Sequence, residues 1–460
     1  MLALALPVLA EESLNLLVGY TDFFLAGRFL PGEAPLAAMG LMAYFMWLLP
    51  SLFAMVGIGA LALVAREVGA GRRQQAAHAA RQAMLLGAVA ALVVMVLLSA
   101  LGGYFVLAMG LRGEAARLAT RYIWILLPAV PLIMIEQVGT ACLRGSGDTV
   151  SGMAARIVLN LVDMSLSLAL VTGYGPFPHL GWEGLAIGSA CGHSVGGIII
   201  LVRLLNGRGG LALLSPPAEH RDHWLRRFRW DRGTMLRILR VGLPGGGDVL
   251  SVLFCHLIYV SIINSLGTLA QAAHGLGVQI EAMSYLPGSA FAVAAATLAG
   301  QSLGAANPQR AKRSVLLCAA YAMGIMCVAG LVMFFAGEAL ARVFVGNRPE
   351  LAALTGELLK IVALSCPPLA LLIVLSGALR GSGDTSWPLA ITFIGLAGVR
   401  IPGACLLAWS EVPIPFTDLA FPGFGLGIAG AWWAMVADVA LRSVLISGRF
   451  FQGGWRDVRV

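Results

Sequence analysis

The sequence predicts an all-α polytopic membrane protein, with about twelve transmembrane helices in two six-helix lobes related by a parallel internal repeat. Three observations carry that prediction: a chain too apolar to cover a water-soluble globule, about twelve stretches each long enough to cross a bilayer, and a heptapeptide, LRGSGDT, that occurs at both 143–149 and 379–385.

Of 460 residues, 59% are hydrophobic and only 12% charged, which leaves too little polar surface for a soluble fold of this size. A helix needs roughly 20 apolar residues to cross the ~30 Å hydrocarbon layer. Stretches that satisfy this lie near 2–27, 35–65, 82–109, 120–142, 150–172, 180–204, 236–265, 270–302, 313–336, 357–379, 387–408 and 424–447. The first is read as a retained helix and not a signal peptide, because no basic residues precede it and Glu11 and Glu12 interrupt its apolar run.

Basic residues set the orientation. With the N-terminus inside, 23 of the 31 Lys and Arg fall on the cytoplasmic side, including Arg72, Arg73, Arg144, Arg310, Arg380 and the run from Arg221 to Arg240. That bias places both termini in the cytoplasm. The net charge of +8 then follows from topology and anionic headgroups and requires no nucleic-acid partner. The seven cysteines sit in or beside apolar spans without close pairing, so neither a disulfide framework nor a metal site is expected. His220 and His223 in the longest polar segment have no further ligands near them in sequence.

The repeat extends beyond seven letters. Pro7 and Pro244, Glu11 and Asp248, and Pro50 and Pro287 are each 237 positions apart. VAREVGAGRRQQAAHAAR at 64–81 also resembles LAGQSLGAANPQRAKRS at 298–314. Two copies of an even-numbered helical unit enter the membrane in the same direction, which makes the repeat parallel. The boundaries expected are an N-terminal lobe at 1–205, a cytoplasmic linker at 206–235, a C-terminal lobe at 236–450 and a cytoplasmic tail at 451–460. LRGSGDT becomes the turn between the fourth and fifth spans of each copy. There its glycines allow a tight bend, Asp and Thr cap the next helix, and Arg anchors at headgroup level.

An ionisable group inside a span is costly enough to be paired, protonated or functional. The candidates are Glu11, Glu12, Asp22, Glu136, Asp163, Asp248, Glu281, Arg400 and Asp438. Glu11 and Asp22, about three turns apart, project from one face of the first span. Asn160 and Asp163 share a face of the fifth. Arg400, in GVRIPGA, either neutralises an interior acid or anchors at the interface.

Two six-helix halves, Asp22 within GYTDFFLAG, VAREVGAG, the twinned LRGSGDT and IEAMSYLPGSAFAVAAATLAGQSLGA at 280–305 together resemble the multidrug and toxic compound extrusion (MATE) transporters, in particular their DinF-like branch. The resemblance covers essentially the whole chain. It implies helical lobes around a central cleft that rock between inward- and outward-open states, and export of small organic compounds in exchange for H⁺ or Na⁺ by a monomer of the plasma (inner) membrane without a cofactor. It further implies that Asp22 takes part in cation or proton binding. Asn160 and Asp163 fall where the family places an Asn and an Asp, though three residues apart here instead of four. Asp248 and Glu281 match acidic or amide positions of the DinF-like branch, whereas the seventh-helix glutamate of the NorM-like branch falls on Val252.

Read from the residues, these expectations favour H⁺ over Na⁺ as the coupling ion, with Asp22, Asn160 and Asp163 as its site. Asp248, Glu281 and Arg400 serve substrate or coupling in the C-terminal lobe, and Glu11 and Glu12 are secondary candidates. Two other readings have different signatures. A lipid-linked oligosaccharide flippase calls for several interior basic residues, and a membrane-embedded enzyme for a nucleophile–base pair or metal cluster. The interior charges here are mostly acidic, and no such pair or cluster stands at a plausible spacing.

Overall fold

A computed structural model of the chain describes residues 1–207, 210–213, 229–346, 348–413, 420–458 and 460. His220 and His223 lie outside the described residues. The helices are α1 (Leu2–Phe29), α2 (Ala34–Gly69), α3 (Arg73–Ala108), α4 (Gly113–Leu126), α5 (Val130–Ser146), α6 (Val150–Thr172), α7 (Trp182–Leu205), α8 (Arg232–Asn264), α9 (Thr268–Gly304), α10 (Pro308–Val345), α11 (Pro349–Ala363), α12 (Cys366–Ser382), α13 (Ser386–Gly395), α14 (Ile401–Ala408) and α15 (Gly427–Gln452). Eleven apolar spans run through them, with α4 and α5 forming one and α13 and α14 another; the pair α11 and α12, bent by 56°, supplies a twelfth. The expected architecture of about twelve helices is therefore present.

The helices overrun the apolar stretches at their polar ends. Thus α3 begins at Arg73, nine residues before the apolar run, because intrahelical hydrogen bonds continue wherever water or headgroups can take the polar side chains. The breaks follow proline. A 3₁₀ turn at Leu127–Ala129 separates α4 from α5, and Pro367 and Pro368 open α12 after its bend; a ring in place of an N–H removes a ladder bond at both sites. A π-helical turn at Leu396–Arg400 joins α13 to α14. One small departure from an all-α chain is an antiparallel ribbon of β1 (Glu411–Pro413) and β2 (Ala420–Pro422), paired Val412 to Phe421. Beyond the last apolar stretch α15 runs on. The helix continues to Gln452, and Trp455 stacks on Phe450 at 5.1 Å while donating from Nε1 to its carbonyl.

The described residues form two compact units: residues 2–246 with 304–306 and Val460, and residues 247–303 with 307–459 and Met1. Residues 236–246, read from the sequence as part of the second lobe, thus pack with the first unit. Gly59 on α2 packs on the backbone of Ile238 of α8, and Gly242 on α8 packs on the backbone of Met55 of α2, where a β-carbon would collide in each case. Just before α8, Asp231 accepts from the amides of Gly233 and Thr234, the Thr234 hydroxyl and His78 of α3. These donors, led by Thr234, hold its carboxyl well below the usual range.

The packing that shapes the N-terminal unit lies between α6 and α7. Gly184, Gly188, Gly192 and Gly196 recur every four residues along one face of α7, a small-residue stripe that lets two membrane helices meet backbone to backbone. A β-carbon at Gly192 would lie 2.8 Å from Asp163 Cβ, and one at Gly184 would lie 2.8 Å from Leu170 Cβ.

Gly192→Ala should therefore push α7 off α6 and cost about 1–3 kcal/mol, the usual penalty for overpacking. Thermal unfolding in detergent reads this, with Gly103→Ala as control because nothing lies within 4 Å of its added methyl. Equal melting of both variants would contradict the close approach.

Candidate functional site

The glycine stripe presses the side chains between its members against α6. Ser189 follows Gly188, and its hydroxyl lies 3.4 Å from Asp163 Oδ1 and 3.5 Å from Asp22 Oδ2. Both are long hydrogen-bond distances. Tyr122 of α4 donates to the same Ser189 oxygen at 3.0 Å, with its ring packed on Trp182. Asp163 Oδ1 also accepts from Ser167 at 3.0 Å, one turn along α6, while its Oδ2 is buried with no hydrogen-bond partner. Every member of this group, Asp22, Tyr122, Asp163, Ser167 and Ser189, is buried. Among the described residues, neither carboxylate forms an ion pair with Lys or Arg.

Chemically, this is a hydroxyl with one proton to give and two carboxylates to receive it. Tyr122 occupies the serine oxygen as a donor, so the Ser189 proton goes to Asp22 or to Asp163, one at a time. The expected pair Asp22 and Asp163 is thus brought together by a residue that the sequence did not mark. Asn160 joins less directly: its Nδ2 donates to Leu14 O at 2.6 Å, tying α6 to α1, and its Oδ1 is buried without a partner.

Most of the other interior charges are paired. Glu11 meets Arg144 Nη2 at 2.9 Å, with Glu12 at 3.9 Å from the same nitrogen. In the other unit, Asp248 meets Arg380 Nη2 at 3.4 Å. The arginine of each LRGSGDT copy therefore turns inward onto an acid of its own unit and is not a headgroup anchor, because a buried carboxylate offers it a stronger partner than a lipid surface can. The glycines divide their work. Gly147 and Gly383 take φ of 96° and 93° in the bend, whereas a β-carbon at Gly145 would lie 2.9 Å from Leu61 O. Asp148 caps α6 through the Ser151 amide at 2.9 Å. Thr149 makes no such cap, and Asp384 binds Arg449 at 2.9 Å instead.

Of the C-terminal candidates, Asp248 pairs apart from the other two, while Arg400 acts electrostatically on Glu281. Asp248 is held by Arg380, and Arg400 is consumed by Asp438, which receives its Nε at 2.9 Å and Arg442 Nη2 at 2.6 Å. Glu281 is half-buried on α9, two turns along the helix from His274. The repeat explains the contrast. The position 237 residues after Asp22 is Tyr259, and at the 236-residue offset of the LRGSGDT copies Asp163 falls on Val399, beside Arg400, whose guanidinium stands 5.8 Å from the Tyr259 ring centre. Neither place carries an acid in the second unit: a phenol stands at one and a valine, next to a cation, at the other.

Residues absent from the sequence reading are Ser189, Tyr122, Ser167 and His193. A lone hydroxyl or imidazole in an apolar helix carries little signal by itself. The glycine period on α7 was legible and marks the face on which Ser189 sits.

Comparison with known proteins agrees with this architecture. The MatE family model matches residues 7–168 and 244–406. The probable multidrug resistance protein NorM of Thermotoga maritima is 28% identical over 458 residues, covering 99% of this chain and 92% of the relative. Multidrug resistance protein PmpM of Pseudomonas aeruginosa is 24% identical, covering 100% of this chain and 92% of PmpM. In structure, a MOP superfamily transporter of Pyrococcus furiosus superposes with a TM-score of 0.86 at 21% identity, covering 99% of this chain and 96% of its own, and a MATE protein in complex with MaL6 superposes equally well at 20%. The matched segments fall one in each half of the repeat, and together they span most of the chain: it is a membrane transporter of the MatE family, the multidrug and toxic compound extrusion proteins, and not an enzyme.

Proposed function

We propose that the chain is a secondary active antiporter that exports amphipathic organic cations in exchange for inward-moving protons by alternating access, with Asp22 as the main coupling residue. The observation that carries this reading is the single Ser189 hydroxyl between two buried carboxylates. Whichever carboxylate the hydroxyl does not serve is a buried anion short of a donor, a costly state. A proton or an organic cation relieves it. The two therefore compete for one charge, which is what antiport requires.

Loading Asp22 with a proton from the outer side removes the charge that holds the cation and lets the hydroxyl turn wholly to Asp163. Release on the inner side restores the anion. The multidrug names of the relatives support organic substrates, and the distribution of Lys and Arg supports both termini in the cytoplasm of a chain we place in the plasma membrane. The chain works as a monomer.

Cells that lack other pumps and express the chain should gain resistance to lipophilic cations such as tetraphenylphosphonium; resistance confined to anionic or neutral compounds would contradict the substrate class. Asp22→Asn is nearly isosteric with the protonated form, so it should insert normally and lose at least about tenfold in ΔpH-driven export, about 1.4 kcal/mol of coupling. Retained proton-driven export would eliminate Asp22 from this role. Export driven by a Na⁺ gradient at constant pH would overturn the choice of ion.

A further inference from the structure

One buried charge cluster of the N-terminal unit takes no part in the coupling site. Glu136 of α5 pairs through Oε1 with Arg156 Nη2 of α6 at 2.8 Å, and through Oε2 with His193 Nδ1 of α7 at 2.7 Å. All three are buried. Glu136 and Arg156 already balance each other, so His193 adds a titratable group to a cluster that is neutral without it.

Its place in the fold is specific. His193 is one helical turn from Ser189 and next to Gly192, whose α-carbon packs on Asp163. On its other side, a β-carbon at Gly196 would lie 3.7 Å from the Glu136 carboxyl carbon. The imidazole therefore occupies the turn of α7 between the coupling site and Glu136. Along α6, the buried residues Ser167, Asp163, Asn160 and Arg156 follow one face. At 1.5 Å per residue from Val150, Asp163 stands ~20 Å and Arg156 ~9 Å along the helix from the LRGSGDT turn. The groups that face His193 are Glu136 from α5 and Arg156 and Asp163 from α6, with Asp22 of α1 and Tyr122 of α4 beyond Asp163.

We propose that His193 carries the proton from the Asp22–Ser189–Asp163 site towards the LRGSGDT side of the membrane, with Glu136 as the positioning residue that holds its Nδ1–H. This rests on the proton coupling proposed above. The O–H bond of the protonated carboxyl breaks, leaving a carboxylate, and the proton binds Nε2 of the neutral ring directly or through one water. Glu136 stabilises the resulting imidazolium. In the inward-facing state Nε2–H gives its proton to water, and the neutral ring is regenerated.

The test separates two fluxes in vesicles that contain the purified chain. Net export of tritiated tetraphenylphosphonium under an imposed ΔpH requires proton release on every cycle; exchange of labelled for unlabelled cation at equal pH does not. His193→Asn keeps a donor near the Nδ1 position but has no base. It should slow net export roughly a hundredfold or more, as loss of a proton-transfer group does, while exchange stays at the wild-type rate. An equal loss of both fluxes would reveal a packing role and overturn the proposal, and so would unchanged net export. His193→Gln is the second variant, and failure of both to melt like the wild type would likewise assign His193 to packing. Wild-type export indifferent to ΔpH would instead sink the proton reading itself, whatever His193 does.

Discussion

Ser189 has one hydroxyl proton and two buried carboxylates in reach of it, and much of the N-terminal unit serves to keep it so. The hydroxyl cannot satisfy Asp22 and Asp163 together, and Tyr122 has already taken its oxygen. In water such a shortage would vanish into solvent. Here the residues are buried, so the shortage persists, and on the proposed reading a proton or a cation relieves it. The glycine stripe of α7 brings Ser189 close enough to α6. Asn160, bonded to the Leu14 carbonyl, holds α1 against α6 so that Asp22 reaches the same point.

Around that centre, the two halves of the chain share scaffolding and differ in chemistry. Each LRGSGDT arginine clamps an acid near the start of its own repeat, Glu11 in one and Asp248 in the other. Each motif bends at a glycine in the left-handed region. These features recur because they hold helices together, and both halves need that. The positions of Asp22 and Asp163 do not recur as acids. Tyr259 and Val399 stand there in the second half, with the neighbouring Arg400 neutralised by Asp438. On the function proposed above, this difference concentrates ion coupling in the first unit.

The architecture was legible because the bilayer imposes length and apolarity on every span, and LRGSGDT exposed the repeat. Asp22 and Asp163 were legible because a carboxylate in an apolar span is conspicuous. Their partner was not, since serine is common in membrane helices and costs little there. Arg144 and Arg380 looked like surface residues because they lie at span ends; only the fold shows that Glu11 and Asp248 meet them. For the same reason Glu11 and Glu12, conspicuous in sequence, belong to a structural ion pair, and Asp248 and Arg400 fall into different ion pairs while Glu281, among the described residues, enters none. Sequence proximity locates a charge along the membrane normal, but which helix faces which is set by close approaches such as that at Gly192.

The central claim is that proton and organic cation compete for one buried charge, and counting protons tests it most directly. Tetraphenylphosphonium added to the purified chain in weakly buffered detergent solution should release close to one proton per bound cation, and its affinity should rise with pH over the same range, as linkage demands. Release of no protons on binding, with an affinity independent of pH, would contradict the competition and with it the role given to the Ser189 hydroxyl.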